Sequence, residues 1–282
     1  MDSNVRIACC QLSPDVEHPE LNRRLAREAI ASAIAGGAQI VVLPELGNSG
    51  YVFAGREEVE AAAVARSDDL LRGWSEEASR GDAVVIGGFC ERAPDGALYN
   101  SCALVDGTGV SAVYRKLHLW DEEARWFSPG REPAPVVATR YGRIGLAVCY
   151  DIEFPELTRG LALGGAELIA LPANWPHDTM PPNGRSILHS LAAVTAYFNR
   201  VFVAVCDRCG SERGVAFEGG SVITDPDGWL AAGPVANRGP ETVSAVCDLA
   251  RARDKRTGRH NDALADRRPD QYSADLAEPN RR

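Results

Sequence analysis

Helical and strand-like segments alternate along most of this 282-residue chain. A strand pattern over Val5 to Leu12 precedes an amphipathic helical pattern over Glu20 to Ile34, and the apolar run Gln39 to Pro44 follows. Further helices are predicted over Ser67–Arg80, Glu156–Leu163 and Ser186–Asn199; further strands over Ala83–Phe89, Leu98–Val105, Val110–Tyr114, Ile144–Val148, Leu168–Leu171, Val201–Val205, Gly220–Thr224 and Thr242–Cys247; a long loop over Leu117–Val137 and a turn over Asp225–Gly228. Because helices and sheets must bury apolar faces against one another, this alternation predicts a layered α/β fold.

Two segments of the chain have similar sequences. The stretch Gly37 to Glu45 (GAQIVVLPE) resembles Gly165 to Ala173 (GAELIALPA), and each copy puts a Gly-Ala turn before a buried strand that ends at Leu-Pro. This similarity indicates either two related halves of the protein or a chance recurrence of a common strand sequence. Ligands in open α/β sheets bind beyond the carboxyl ends of strands, and Glu45, Cys149 and Asn174 fall at or just after such ends.

Charge and composition exclude several classes of partner. Hydrophobic residues make up 45% and charged residues 24% of the chain, and the formal net charge is −9. This acidic balance argues against a nucleic-acid partner. No apolar run is long enough to cross a bilayer, and the first residues lack a secretory signal, so we expect a cytoplasmic protein without a membrane partner. Its eight cysteines should then be free thiols.

The last part of the chain differs in composition from the rest. Beyond Ala250 it becomes basic and polar with few apolar positions, which predicts one domain over 1–250 and a polar extension over 251–282 that contacts solvent or a partner subunit. The pair Cys206 and Cys209 has C-x-x-C spacing, but no second pair or histidine pair completes a zinc pattern. No metal is therefore expected.

Cys149 is the candidate nucleophile. It ends the strand pattern Ile144 to Val148 and precedes a sharp turn, and Pro155 then suits the first position of a helix. A helix N-terminus near the sulfur would lower the thiol pKa and could stabilise an oxyanion. The alternative is a small buried core residue.

A thiol nucleophile needs a base and a donor for the oxyanion. None of the five histidines has a recognisable local signature of a cysteine-hydrolase partner; His118 is the most interesting, with a structural role as its alternative. A carboxylate and a lysine are the other possibility. Glu45 follows an apolar strand, where a charge has no packing purpose, and Lys116 follows the strand that ends at Tyr114.

Three segments together carry a family resemblance. Leu43-Pro44-Glu45, the run Tyr114 to His118 (YRKLH) and the run Gly145 to Glu156 (GLAVCYDIEFPE) resemble, in order, the signature segments of the nitrilase superfamily of carbon–nitrogen hydrolases. The similarity extends over nearly the whole chain. It implies an α/β fold of the four-layer αββα sandwich type.

The resemblance also implies roles for individual residues. Glu45 would be the general base, Lys116 would stabilise the tetrahedral intermediate and Cys149 would be the nucleophile, with no cofactor and no metal. The segment from Glu122 to Gly130 (EEARWFSPG) is similar to the family segment that carries a second active-site glutamate. The match is Glu123, and Glu122 remains possible because two adjacent acids leave the register open.

Residues after Cys149 indicate the branch. Tyr150-Asp151 is similar to amidase and carbamoylase branches, and the segments Pro172–Pro176 and Cys206–Gly214 resemble bacterial aliphatic amidases, including stereoselective ones. Aromatic walls with a few polar groups suit small ligands. The predicted substrate-binding residues are Tyr51, Trp120, Tyr150, Asn174 and Trp175.

The resulting hypothesis is cysteine-dependent hydrolysis of a small non-peptide amide through a thioester on Cys149. Alternatives are an N-carbamoyl amidohydrolase, a nitrilase and a catalytically silent scaffold. N-carbamoyl substrates often carry a carboxylate or an amine, which needs a charged partner in the pocket. Arg185 or Arg208 would bind a substrate carboxylate, and Asp178 would bind a substrate amine. The family resemblance further implies a homodimer or a larger homo-oligomer.

Overall fold

The computed structural model describes residues 4–176, 186–235 and 239–272. Its strands are β1 (Asn4–Gln11), β2 (Ile40–Val42), β3 (Val84–Arg92), β4 (Leu98–Asp106), β5 (Gly109–Arg115), β6 (Val136–Thr139), β7 (Gly142–Leu146), β8 (Leu168–Pro172), β9 (Phe202–Cys206), β10 (Ser211–Glu212), β11 (Val215–Ala216), β12 (Val222–Thr224), β13 (Leu230–Ala232) and β14 (Glu241–Asp248). Its α-helices are α1 (Pro19–Ala35), α2 (Arg56–Ala62), α3 (Asp69–Gly81), α4 (Glu123–Trp126), α5 (Pro155–Leu163) and α6 (Ile187–Asn199). Short 3₁₀ segments cover Cys149–Glu153, Leu249–Arg253 and Pro269–Gln271.

Twelve of the strands form two six-stranded sheets with the same arrangement of strand directions. The first has the order β14-β1-β2-β3-β4-β5 and the second β13-β12-β9-β8-β7-β6. In each sheet three central parallel strands, β1 to β3 and β7 to β9, are joined by helical crossovers, and antiparallel strands flank them. Only the strand beside the first parallel strand differs in connection, because β14 comes from the end of the chain and β6 directly precedes β7. Strands β2 and β8, which lie in the two similar segments, occupy equivalent places, and both preceding glycines, Gly37 and Gly165, have φ of +85°. The matching arrangement of the parallel strands and their crossovers supports two related halves.

The alternation of side chains along the strands builds four layers. In β1, Ile7 and Cys9 belong to the core between the two sheets, whereas Ala8 and Cys10 belong to the core under α1 and α3. The helices α5 and α6 pack on the outer face of the second sheet. The predicted αββα sandwich is therefore confirmed.

Most predicted elements are present within a few residues of their expected bounds. The predicted loop Leu117–Val137 in fact contains α4 and the start of β6, and α2 and β13 were not predicted. Helix α2 buries only Val59, so it has no apolar stripe that a sequence pattern could reveal. The described part of the chain contains no helix that is long and apolar enough to cross a membrane.

Residues 251–272 fold back on their own chain. Lys255 donates through Nζ to the carbonyl oxygens of Asn199 and Arg200 at the end of α6, 3.1 and 2.9 Å away. Arg253 pairs with Glu167, and Ala252 is buried. The predicted division into a domain over 1–250 and an extension stays a prediction.

Candidate active site

Three charged side chains are buried together at one end of the sandwich. The Nζ atom of Lys116 lies 2.7 Å from Oε1 of Glu45 and 2.7 Å from Oε1 of Glu123. All three residues are buried. A buried ammonium ion is costly unless it is paired, and two carboxylates satisfy this one.

The backbone around β2 and β3 fixes Glu45. Strand pairing continues past the end of β2, because the Leu43 N–H donates to Ile86 and the Gly88 N–H donates to Pro44. A Cβ atom on Gly88 would lie 2.4 Å from the Cα of Glu45, so only glycine permits this approach. Close contact between the strands therefore holds the carboxylate in place.

Backbone contacts also fix the position of Lys116, which follows β5. Its N–H donates to the carbonyl oxygen of Asn100 on β4, and its own carbonyl accepts from the N–H of Gly130. A Cβ atom on Gly130 would lie 2.2 Å from the carbonyl oxygen of Arg115. The loop after β5 therefore closes directly against the lysine backbone.

Asn100 joins the two carboxylates, and sequence reasoning missed it. Its Nδ2 donates to Oε1 of Glu45 at 2.6 Å and to Oε2 of Glu123 at 3.4 Å. The available signal was an amide in the predicted strand β4, where the side chain is buried and therefore needs hydrogen-bond partners.

Glu123, and not Glu122, is the buried acid of the predicted pair. The hydroxyl of Tyr51 donates to Glu123 at 2.7 Å in addition to the lysine contact. The side chain of Glu122 is 61% exposed and pairs with Arg125 on the same helix. The burial and contacts of Glu123 therefore favour it over Glu122 as the candidate second carboxylate.

Cys149 begins a 3₁₀ segment with a left-handed φ of +48°. Its Sγ lies 3.9 Å from the carbonyl oxygen of Asn174, which accepts from the thiol. Burial and the charge of Glu45 raise the pKa of Cys149 well above its ordinary value of 9.0. The positive charge of Lys116 lowers this pKa, but by less than burial raises it. The expectation that a helix N-terminus lowers this pKa is wrong, because α5 begins only at Pro155 and desolvation dominates.

Asp151 anchors the turn that carries the cysteine. It accepts from the Val148 N–H at 3.0 Å, from the Tyr114 hydroxyl at 2.8 Å and from the His118 N–H at 3.2 Å. The ring Nδ1 of His118 lies 2.8 Å from the same carboxylate, and the ring stacks on Phe154 at 3.5 Å. His118 therefore has a structural role in this turn.

The charged cluster shifts the pKa values of its members. Burial raises the pKa of Glu45 to about 7, with the Glu123 charge adding to the rise and Lys116 opposing it. The two carboxylates hold the pKa of Lys116 above its ordinary value in spite of burial. Burial and the neighbouring Glu123 raise the pKa of Tyr51. At neutral pH the lysine is charged and Glu45 can exchange a proton.

A cavity of about 380 Å³ opens onto Cys149. It is lined by Trp120, Cys149, Tyr150, Glu153, Asn174, Trp175, Pro176, Ile187 and Leu191. Four of the five predicted substrate-binding residues are in this set. The fifth, Tyr51, is not among these lining residues; its hydroxyl donates to Glu123, and its ring contacts Phe217 edge-on.

Several buried polar atoms near Cys149 have no partner among the described residues. Within those residues, Glu45 Oε2, both side-chain polar atoms of Asn174 and the Nε1 of Trp175 accept or donate no hydrogen bond. Unpaired buried groups of this kind are costly unless a ligand satisfies them. The backbone N–H of Trp175 is held at 2.9 Å by Asp207, whose pKa burial raises to about 7.

Other candidate features do not join this site. Arg208 is buried against Glu212 at 3.0 Å and the ring of Phe217, so it is not available as an anchor in the cavity. Arg185 and Asp178 lie outside the described residues. All eight cysteines are free thiols, as predicted, and the described ranges contain no cluster of three potential metal ligands.

Comparisons with known proteins agree with this geometry. A family model for carbon–nitrogen hydrolases matches residues 6–257. A protein named nitrilase from Pyrococcus abyssi is 36% identical over 95% of this chain and 99% of its own length. An (R)-stereoselective amidase from a Pseudomonas species is 35% identical over 85% of this chain and 83% of its own.

Solved structures of related proteins share the fold of this chain. An amidase from a Nesterenkonia species superposes with a TM-score of 0.77 at 29% identity and covers 91% of this chain and 95% of its own. A mutant of that amidase, which matches with the same TM-score at 28% identity over 90% of this chain and 95% of its own, is described as a complex with butyramide.

Proposed function

This chain belongs to the carbon–nitrogen hydrolase family and is an amidase acting on C–N bonds, and from that premise we propose that it hydrolyses a small non-peptide amide to a carboxylic acid and ammonia through a thioester on Cys149. One observation carries the proposal. The buried cluster of Glu45, Lys116 and Glu123 lies beside a cysteine that opens onto a small, largely apolar cavity.

Acylation begins with a protonated thiol, because burial raises the pKa of Cys149. Glu45 accepts the thiol proton, and the sulfur attacks the amide carbon. The oxyanion accepts hydrogen bonds from Lys116 Nζ and from the backbone N–H of Tyr150. Glu45 then returns the proton to the leaving nitrogen, the C–N bond breaks, and ammonia departs.

Deacylation uses the same groups. Glu45 accepts a proton from water, which attacks the thioester carbon, and Lys116 again stabilises the oxyanion. The C–S bond breaks, the thiol regains its proton, and the acid leaves. A pKa of about 7 suits Glu45 to both directions of proton transfer near neutral pH.

Glu123 holds the lysine and tunes the base. Its carboxylate accepts from Lys116 and from the Tyr51 hydroxyl, and its charge raises the pKa of Glu45. We assign the side-chain amide of Asn174, which makes no hydrogen bond to the part of the chain that the structure describes, to the substrate amide group.

The experiment that tests the proposal is ammonia release from amide, nitrile and N-carbamoyl substrates with the same side chain. We expect preferential turnover of the amide by the wild-type protein and no turnover by Cys149→Ala, with the two proteins equally folded by circular dichroism. Preference for the nitrile or the N-carbamoyl compound would establish one of the alternative activities. Absence of turnover across the whole panel would favour a silent scaffold.

We also propose that the protein works in the cytoplasm as a homodimer or larger homo-oligomer. The eight reduced thiols support a reducing compartment. An apolar stripe on the outer face of α6 supports self-association: Ile187, Val194 and Phe198 are 45%, 47% and 57% exposed.

A further inference from the structure

One carboxylate stands in the wall of the cavity that contains Cys149. Glu153 ends the 3₁₀ segment that Cys149 begins, and it lines the same cavity. A 3₁₀ helix rises roughly 2 Å per residue, so the two Cα atoms lie about 8 Å apart. A substrate held at the sulfur would therefore reach Glu153 with the far end of a short chain.

No basic side chain among the described residues faces this carboxylate in the cavity. The nine described lining residues include no lysine, arginine or histidine. Within the part of the chain that the structure describes, the Glu153 carboxylate makes no hydrogen bond or ion pair, whereas most other acids near the site are paired. Glu153 as a whole is exposed to solvent, but desolvation of its carboxylate raises its pKa, so its ionised form gains from a cationic partner.

Aromatic rings form the wall beside Glu153. The ring of Tyr150 meets Trp120 edge-on at 4.9 Å and Phe154 edge-on at 5.0 Å, which holds it in place. Trp120, Tyr150 and Trp175 all line the cavity. Aromatic faces attract ammonium groups, and this attraction is strongest where water is excluded. A carboxylate among aromatic rings is the arrangement expected for a primary ammonium ligand.

We propose that the preferred substrates are amides whose acyl chain ends in a primary ammonium group, with Glu153 as the residue that selects for it. The proposal rests on the amide hydrolysis proposed above. The amide group binds at Cys149 and Asn174, and the ammonium group lies against Glu153 and the aromatic wall. A substrate with a terminal carboxylate would be repelled.

The test uses pairs of amides that differ only in NH₃⁺ against CH₃. 4-Aminobutanamide is compared with pentanamide, and 6-aminohexanamide with heptanamide, because the two lengths place the ammonium group at two different distances from the amide carbon. For at least one pair we expect kcat/KM to favour the ammonium compound by about tenfold, falling as salt is added. Glu153→Gln should abolish the preference, because kcat/KM should fall about tenfold further for the ammonium compound than for its neutral partner. Glu156→Gln, an exposed acid on α5 that does not line the cavity, is the matched control and should keep the preference.

Each failure has a distinct signature. If the wild-type protein hydrolyses none of the amides, the proposed function itself is wrong. If the wild-type protein hydrolyses the neutral amide and the ammonium compound with equal kcat/KM at both lengths, only the inference about Glu153 is overturned. An equal loss for both members of a pair in Glu153→Gln would assign Glu153 a structural role and also overturn it.

Discussion

At the scale of single residues, the central feature is one lysine between two carboxylates. With both acids ionised, Glu45, Lys116 and Glu123 would carry a net negative charge in a buried site. Burial raises the pKa of Glu45 to about 7 and the Glu123 charge adds to the rise, so Glu45 binds a proton readily while the lysine stays charged. The cluster is thus prepared to accept a proton from the thiol.

Replacing Glu123 tests its position in this cluster. Glu123→Gln keeps the shape but removes the charge that holds Lys116, so we expect kcat/KM to fall by about 10² or more. The adjacent Glu122→Gln is the matched control, and it should keep full activity because Glu122 is exposed. Equal activity in the two variants would contradict the assignment.

The pH dependence of kcat/KM reports on Glu45. Only the ionised carboxylate accepts a proton, so the rate should rise with pH and level off above about 7. In Glu123→Gln the residual activity should show this rise at lower pH, since the Glu123 charge raises the pKa of Glu45. Rate measurements from pH 5 to pH 9 check both expectations, and a flat wild-type profile would exclude Glu45 as the base.

Residue identities could be predicted where a motif fixes them. Glu45, Lys116 and Cys149 follow from three segments in order, but the choice between Glu122 and Glu123 needed the helix that turns one of them inward. Asn100 and Glu153 were missed because their environments depend on side chains distant in sequence. The raised pKa of Cys149 could not be predicted either, since burial is a property of the folded chain.

At the scale of elements, the end of β5 is tied to the turn that carries Cys149. Tyr114, on β5, donates to Asp151 two residues beyond the nucleophile, and Lys116 lies two residues after Tyr114, just past the end of β5. One hydrogen bond therefore connects the strand that presents the lysine to the segment that presents the sulfur.

Removing that hydroxyl should loosen both elements. We expect Tyr114→Phe to lower the free energy of unfolding by about 1–3 kcal/mol, because a buried carboxylate loses a donor, and to lower kcat/KM as well. Urea denaturation and steady-state rates measure the two effects. Tyr99→Phe on the neighbouring β4 is the control, since its ring packs under Arg115 while its hydroxyl makes no bond to the described residues. A loss of equal size in the control would contradict the connection.

Elements with a strong pattern could be predicted, and irregular ones could not. The buried strands β2 and β8 are short apolar runs between turn residues, and both were expected. Helix α4 has only four residues and no periodicity to detect, yet it carries Glu123. The 3₁₀ segment at Cys149 was expected only as a sharp turn.

At the scale of the whole molecule, an apolar surface lies next to the site. The stripe on α6 begins at Ile187, which also lines the cavity, and continues to Phe198. Trp229 is 73% exposed, and its turn approaches α6, where a Cβ atom on Gly228 would lie 3.1 Å from Tyr197 Cβ. A second copy of the chain on this surface would bury these side chains.

Sedimentation velocity tests this association. We expect the wild-type protein to sediment as a dimer or larger species and Phe198→Glu to shift toward the monomer, because a charge replaces an exposed apolar ring on the proposed contact surface. Val110→Glu, at another exposed apolar position on β5, is the control and should leave the assembly intact. A monomeric wild-type protein would contradict the proposed oligomer.

The most direct test of the whole account is the mass of the protein during turnover of a slow amide. Acid quenching followed by peptide mass analysis should show one acyl group, on the peptide that contains Cys149, and Glu45→Gln should fail to form it. An acyl group on another of the eight cysteines, or steady hydrolysis that is unaffected by Cys149→Ala, would contradict the account.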